Sequence, residues 1–209
     1  MTDFSRQSLE EFLGSIAAQT PTPGGGTVAA VAGAMGAALA EMVAGLTLSK
    51  EKYAASHDAV RPIAEAAPLA RREFLALARE DSEAYDEVVA ARKLPKETDE
   101  QKAERSGRIS AANRRAADVP MRTARAAVRL LSALPELAEK GNPNAASDVG
   151  AAALLLDACA EGALLNVGIN LGGVEDPKLV AEMQRETAVL QEESQRLRSQ
   201  VVALVRKRF

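Results

Sequence analysis

Residues 21–53 have the sequence PTPGGGTVAAVAGAMGAALAEMVAGLTLSKEKY, and this stretch says more about the fold than any other. Prolines and three consecutive glycines lead into a long, almost uncharged run of alanine, glycine, valine, leucine and methionine. A helix that is apolar nearly all round is usually a buried helix. The stretch therefore predicts a central helix with a glycine-rich turn at its start and Lys50 and Lys52 at its end.

The glycine-rich turn is a candidate ligand site. Because Gly24, Gly25 and Gly26 have no side chains, the backbone is accessible where the helix begins. The free N–H groups of a helix start attract anionic or carbonyl-bearing ligands. No strand pattern precedes the turn, and neither G-x-G-x-x-G nor G-x-x-x-x-G-K-[ST] is present. An ordinary turn is the alternative, and these residues alone favour it.

The length of the apolar run also raises the possibility of a membrane span. Glu41 interrupts the run, and alanine and glycine make it only weakly hydrophobic, so we expect a core helix instead. Small residues at Gly33, Gly36 and Ala37 allow very close contact with another helix. That contact could lie within one subunit or between two copies of the chain.

Composition limits the classes of function. The 209 residues suffice for one domain, residues 1–209. A net charge of −3, 3% aromatic residues and no tryptophan give no case for binding nucleic acid or a membrane surface. The single cysteine, Cys159, and the single histidine, His57, exclude an internal disulfide and clustered cysteine or histidine metal sites. No signal pattern precedes the first predicted helix, so we expect a cytoplasmic protein.

The periodicity predicts an all-α bundle of long antiparallel helices, two of them buried and rich in alanine, glycine and leucine. Outside the central helix, helices are expected at about 8–18, 59–93, 97–134, 148–169 and 177–207. Pro62 and Pro68 predict a broken or late start of the third helix, and Pro120 predicts a kink in the fourth. The last helix repeats apolar residues every seven positions, at Met183, Leu190, Leu197 and Leu204.

Few residues qualify as catalysts. Cys159 lies among apolar neighbours, which favours a packing role, and His57 falls in a predicted loop. Asp148 opens the second buried helix after a Gly-Asn-Pro-Asn turn, where the alternative role is helix capping. Asp81 lies in a charged run, where the alternative is an exposed face. Lys50 could simply form a surface ion pair.

Five blocks together resemble a known family. They are PTPGGGTVAA, LTLSKEKY, EDSEAYDEVVAARKLPKET, GNPNAASDVGAAALL and EGALLNVGINL. They occur in the family's order and span nearly the whole chain. Together these blocks resemble the cyclodeaminase/cyclohydrolase domain of the formiminotransferase-cyclodeaminase family.

The resemblance implies an all-α dimer formed through long helices, with a folate site near the subunit interface. Family members act on one-carbon tetrahydrofolates and need no cofactor beyond that substrate. Some convert formiminotetrahydrofolate to methenyltetrahydrofolate and ammonia, and relatives hydrolyse methenyltetrahydrofolate. We expect a cyclodeaminase, with a cyclohydrolase or a non-catalytic dimeric folate-binding or scaffold protein as alternatives. Formimino transfer from glutamate is not expected of this chain.

The resemblance also implies residue roles. Asp148 would stabilise the cationic product and shuttle a proton, Asp81 would be a second acid or base, and Lys50 would donate a proton or bind glutamate carboxylates. The predicted substrate-binding residues, with no metal among them, are Pro23, Gly24, Gly25, Gly26, Lys52, Asn142, Asn144 and Ser147. The central hypothesis is that the two buried helices bring Gly25 and Asp148 together around a reduced pterin, within one chain or between neighbouring chains.

Overall fold

The computed structural model describes residues 7–208, and every regular element in that range is a helix. The predicted all-α fold is confirmed. The helices are α1 (Leu9–Ala17), α2 (Gly25–Leu48), α3 (His57–Arg92), α4 (Asp99–Leu131), α5 (Leu134–Lys140), α6 (Ala146–Leu171) and α7 (Pro177–Arg206), with 3₁₀ turns at Glu51–Ser56 and Pro143–Ala145. Helix α5 and both 3₁₀ turns are elements that the periodicity did not predict.

Local side chains start several of these helices. At α1, Ser8 and Glu11 form a capping box: the Glu11 N–H donates to Ser8 Oγ at 3.2 Å, and the Ser8 N–H donates to Glu11 Oε2 at 2.7 Å. Thr98 and Gln101 make the same arrangement at α4. Helix α2 differs, because its N-cap is Gly24, which has no side chain to accept a hydrogen bond.

Helix α2 lies at the centre of the bundle and packs very closely on α6. A Cβ added at Gly33 would lie 2.7 Å from Cys159 Sγ and 2.8 Å from the Phe74 ring. A Cβ added at Gly36 would lie 3.0 Å from Leu156 Cγ. Residue numbers rise along α2 as the contacted numbers fall along α6, so the two helices are antiparallel. The predicted close contact between helices is therefore present within one subunit.

Helix α3 corrects two predictions. It runs without interruption from His57 to Arg92, so neither Pro62 nor Pro68 breaks its start, and His57 begins a helix instead of lying in a loop. Pro62 is exposed, and the carbonyl group that it leaves unpaired can therefore bind water. The opposite face of the helix, including Ile63 and Ala67, is buried in the core. Burial of that face outweighs the local effect of the prolines.

The seven-residue repeat in α7 is confirmed as the face that packs on the bundle. Met183 and Leu197 are buried, and Leu190 and Leu204 are partly buried against the core. In α4, Pro120 lies inside a helix that continues to Leu131.

By length and composition alone, Gly25–Leu48 and Pro143–Leu171 could each cross a membrane. In their most hydrophobic windows, 50% and 44% of the residues are buried inside the bundle. Central helices of globular proteins have the same composition, because they too are apolar on most sides.

The outer side of α2 and α6 remains apolar. On α2, Val28, Met35, Met42 and Leu46 are exposed at spacings of seven, seven and four residues, which places them in one stripe. On the same side of α6, Leu165 is 71% exposed and Ile169 is 80% exposed. We call these six residues the apolar face.

The contact between α2 and α6 predicts the effect of two matched substitutions. Gly33→Ala should lower the free energy of unfolding by about 1–2 kcal/mol, because the added methyl group overlaps Cys159 and Phe74. Gly107→Ala, in an open position of α4, should raise it by about 0.5–1 kcal/mol. Urea denaturation measures both. An equal gain in stability for the two variants would contradict the close contact.

Candidate functional site

A cavity of about 360 Å³ opens where the N-terminus of α2 lies beside the C-terminus of α6. Helices α3 and α4 and the turns before α2 and after α6 complete its walls. The lining residues are Pro21, Thr22, Gly24, Gly25, Gly26, Asp81, Tyr85, Val88, Arg92, Asn113, Ala116, Asn166, Ile169, Asn170 and Gly173.

The predicted glycine turn forms one wall of this cavity. Gly24, Gly25 and Gly26 line it, whereas Pro23 is buried and does not. A Cβ at Gly26 would lie 2.7 Å from Cγ and 2.8 Å from Oδ2 of Asp81. Only glycine at this position lets the Asp81 carboxyl group approach the start of α2.

Among residues 7–208, Asp81 is the only acidic side chain that lines the cavity. Thr27 Oγ1 donates a hydrogen bond to Asp81 Oδ2 at 2.9 Å, and the Thr27 backbone N–H also bonds to this carboxyl group. Ser82 Oγ lies 3.1 Å from Thr27 Oγ1. A threonine hydroxyl has one hydrogen, already given to Asp81, so Ser82 is the donor to Thr27.

Two opposing effects act on the pKa of Asp81. Burial raises the pKa above its ordinary value, and the hydrogen bonds from Thr27 lower it; burial is the larger effect. The carboxyl group therefore binds a proton more readily than an exposed aspartate does. A carboxyl group with a raised pKa is a stronger base than an exposed aspartate, which suits it to accept a proton and return it.

Three asparagines face the cavity from α4 and α6. Asn113 Nδ2 donates to Gly173 O at 2.7 Å, and Asn170 Nδ2 donates to Ala116 O at 2.7 Å. Asn166 Nδ2 donates to a carbonyl of its own helix at 2.8 Å. Within residues 7–208, no group donates a hydrogen bond to the amide oxygens of these three asparagines. The cavity thus offers three anchored acceptors to a ligand.

Along α3, the cavity is lined by Asp81, Tyr85, Val88 and Arg92. Their spacing of four, three and four residues places them on one helical face. Our sequence interpretation missed Tyr85, Arg92 and Asn113. The spacing from Asp81 was a signal that could have identified Tyr85 and Arg92 once Asp81 was a candidate.

The remaining predicted site residues lie at the other end of α2 and α6. They are Lys50, Lys52, Asn142, Asn144, Ser147 and Asp148. Lys50, Lys52, Asn144 and Ser147 are exposed, and Asp148 is half-buried in the first turn of α6.

Asn142 at this end has a structural role. Its Oδ1 accepts hydrogen bonds from Tyr53 Oη at 2.9 Å and from the Asn144 N–H at 3.1 Å. Its own N–H donates to Thr47 Oγ1 at 2.9 Å. Asn142 thereby ties the turn before α6 to the end of α2. Lys52 Nζ lies 4.8 Å from the centre of the Tyr53 ring.

The structure corrects the hypothesis that Gly25 and Asp148 share a cavity within one chain. Gly25 lies beside Asn166, because a Cβ there would be 3.5 Å from Asn166 Nδ2. Asp148 precedes Asn166 by 18 residues of α6, which corresponds to about 27 Å along the helix. Antiparallel packing of α2 on α6 is the physical reason for the separation.

Cys159 lies in the contact between α2 and α6. Burial raises the pKa of its thiol to about 12, so the thiol is neutral and unreactive at physiological pH. In the part of the chain that the structure describes, no three His, Cys, Asp or Glu side chains are placed to hold a metal ion.

The pKa of Asp81 predicts how stability depends on pH. Because the folded-state pKa is raised above 3.8, Asp81 contributes stability that is fully present below pH 3.8 and is lost as pH rises through the folded-state pKa. Relative to Asp81→Asn, the wild type should therefore lose free energy of unfolding between pH 4 and pH 8. Urea denaturation across that range measures the difference.

The matched control is Asp86→Asn, which changes an exposed carboxylate on the same helix. Its pH dependence should follow that of the wild type. A constant difference between wild type and Asp81→Asn at every pH would contradict the raised pKa.

Comparison with known proteins gives consistent similarities. Residues 8–189 match the protein family described as Formiminotransferase-cyclodeaminase. The chain is 38% identical over 202 residues to the Methenyltetrahydrofolate cyclohydrolase of Methylorubrum extorquens, with 97% of each chain covered. It is 33% identical over 200 residues to the Formimidoyltransferase-cyclodeaminase of Gallus gallus, covering 96% of this chain and 37% of that protein. The chain thus spans about a third of this longer relative.

The fold also has a solved counterpart. The crystal structure of formiminotetrahydrofolate cyclodeaminase from Thermotoga maritima is similar with a TM-score of 0.87 and 35% sequence identity. The similarity covers 97% of this chain and 98% of that one. The resemblance found in the five sequence blocks is confirmed by these matches.

Proposed function

Because the chain belongs to the formiminotransferase-cyclodeaminase family of folate one-carbon enzymes, we propose that it is a methenyltetrahydrofolate cyclohydrolase whose site is the glycine-lined cavity. A relative that matches over 97% of both chains carries that name. Formiminotetrahydrofolate cyclodeaminase is the second candidate, because the similar Thermotoga maritima structure carries that name. From the sequence we expected a cyclodeaminase first, with a cyclohydrolase as the alternative.

The observation that carries the proposal is the half-buried carboxyl group of Asp81, which α3 places against the start of α2. In methenyltetrahydrofolate one carbon bridges N5 and N10 as a cationic amidinium. Water adds to this carbon, and a base must take a proton from the water. The bond to N5 then breaks as N5 is protonated, which leaves a formyl group on N10 and releases one proton overall. Asp81 can accept the first proton and return it to N5.

The same carboxyl group suits cyclodeamination. N10 attacks the formimino carbon on N5 and forms a tetrahedral aminal. A proton donor is then needed so that the amino group leaves as ammonia. Burial raises the pKa of Asp81 and so favours its protonated form, which is the form that can serve as that donor. Its charged form also stabilises the cationic product.

The polar groups of the cavity complement a pterin. The pterin N3–H and 2-amino group are donors, and the amide oxygens of Asn113, Asn166 and Asn170 are acceptors that line the same cavity. The free N–H groups of Gly25 and Gly26 at the start of α2 suit the pterin carbonyl oxygen. This pairing supports a reduced pterin as the ligand.

Asp81→Asn is predicted to lower kcat for methenyltetrahydrofolate about 100-fold or more, because an amide cannot transfer the proton. The loss of methenyl absorbance measures hydrolysis, and a gain of it from formiminotetrahydrofolate measures cyclodeamination. Asp86→Asn is the control and should retain full activity. Unchanged turnover in Asp81→Asn would refute the role of Asp81, and a wild type inactive on both folates would favour the non-catalytic alternative.

We further propose that two chains pair through the apolar face. This face carries large exposed side chains of α2, such as Met35 and Met42, and it reaches the cavity at Ile169. Exposed apolar patches of this kind are typical of subunit interfaces. A two-fold axis perpendicular to α2 would place the cavity end of one chain against the Asp148 end of its partner. The site would then contain Asp81 from one chain and Asp148 of the partner subunit. Four more residues of the partner subunit would lie beside that Asp148: Lys50, Lys52, Asn144 and Ser147 of the partner subunit.

Mixing inactive variants tests the shared site. Asp81→Asn and Asp148→Asn should each be inactive alone, and their re-equilibrated mixture should recover about a quarter of the wild-type activity. Half of the dimers are then heterodimers, each with one intact site and one doubly mutated site. Full activity of Asp148→Asn alone, no recovery on mixing, or a monomer in sedimentation at micromolar concentration would each refute the arrangement.

The reaction balances without redox change, so we propose no cofactor beyond the tetrahydrofolate substrate. A cytoplasmic location and the absence of nucleic-acid or membrane partners stay predictions from the sequence.

A further inference from the structure

At the end of the cavity opposite Asp81, the Arg92 guanidinium has no ion-pair partner among the described residues. In the described part of the chain, Arg92 supplies the only positively charged side chain that lines the cavity. Several arginines of the facing helix α4 pair with glutamates, for example Arg122 with Glu80 at 2.6 Å. Within residues 7–208, the Arg92 guanidinium makes no such pair. A second cation lies at the same turn of α3, because Arg105 donates to the Arg92 backbone carbonyl at 3.1 Å.

This unpaired guanidinium is suited to an anion that arrives with a ligand. The cavity lining that the structure describes has one acid, Asp81, and it lies 11 residues from Arg92 on α3. A guanidinium binds carboxylates through two parallel N–H donors. The charge of Arg92 itself favours such a carboxylate over neutral ligands.

The spacing along α3 matches the length of a folate. Asp81 and Arg92 are 11 residues apart, or about 16 Å between Cα atoms, and an arginine side chain on a helix leans back toward the N-terminus. From ordinary bond lengths, the aminobenzoyl ring and amide of a folate place its α-carboxylate roughly 10 Å from the one-carbon centre. Tyr85 lies between the two charges with 41% of its surface exposed.

We propose that Arg92 binds the α-carboxylate of the substrate's glutamate tail, while Tyr85 packs against the aminobenzoyl ring. This inference rests on the proposed function, because it places the one-carbon centre at Asp81. Helix α3 then selects glutamylated folates: the acid performs the proton transfer at one end, and the arginine recognises the tail at the other end.

The test compares two substrates that differ only in the tail. Methenyltetrahydrofolate carries glutamate, and methenyltetrahydropteroate lacks it. The wild type should prefer the first substrate by 10- to 100-fold in kcat/KM. Arg92→Gln should abolish that preference through a higher KM at nearly unchanged kcat, and its activity on the pteroate should stay within about twofold of wild type.

Arg72→Gln is the matched control, because Arg72 is exposed on α3 and does not line the cavity. It should keep the full preference for the glutamylated substrate. A wild type without preference, a preference that survives in Arg92→Gln, or an equal loss on both substrates would each overturn the role of Arg92.

Calorimetric binding of 5-formyltetrahydrofolate and 5-formyltetrahydropteroate separates this inference from the proposed reaction. If the wild type hydrolyses neither methenyl compound, the cyclohydrolase proposal fails, and binding still decides the role of Arg92. We expect the glutamate to strengthen binding to the wild type and to Arg72→Gln at least tenfold and to Arg92→Gln by less than threefold. Equal tail dependence in all three proteins would refute the carboxylate contact.

Discussion

The rest of the structure depends on the close antiparallel contact between α2 and α6. Gly33 and Gly36 on α2 leave no room for a methyl group against Cys159 and Leu156. Side chains this small allow two backbones to approach closely, and dense packing then holds their relative position. Because the contact is antiparallel, the free N–H groups at Gly25 face the C-terminal turns of α6. The cavity forms at this end for that reason.

Asp81 links the stability of the bundle to its chemistry. Gly24 cannot cap α2 with a side chain, and the carboxyl group of Asp81 bonds to Thr27 at the helix start instead. A simple capping role would explain these contacts, but it would not explain why the same carboxyl group is directed into a cavity with three anchored amides. Burial raises its pKa, which weakens it as a cap and suits it for proton transfer.

Much of the fold could be predicted from periodicity, because buried faces repeat at helical spacing. The bounds of α6 and α7 differ from their predicted values by two residues or fewer. Pro62 and Pro68 misled the prediction for α3, since local propensity was weighed without the burial of Ile63 on the opposite face. The site was only partly predictable: the glycine turn and Asp81 were candidates, whereas Arg92 appeared to be one charged surface residue among many.

The sequence by itself determined that the chain is helical, that two helices form its core, and that a glycine-rich turn begins one of them. These properties depend on residue type and spacing along a single helix. Only the tertiary structure decided which helix ends lie next to each other. Periodicity shows which face of a helix is buried, but it contains no information about the direction or register of the neighbouring helix. Asp148 therefore looked like the partner of Gly25, and the antiparallel register placed Asp81 there instead.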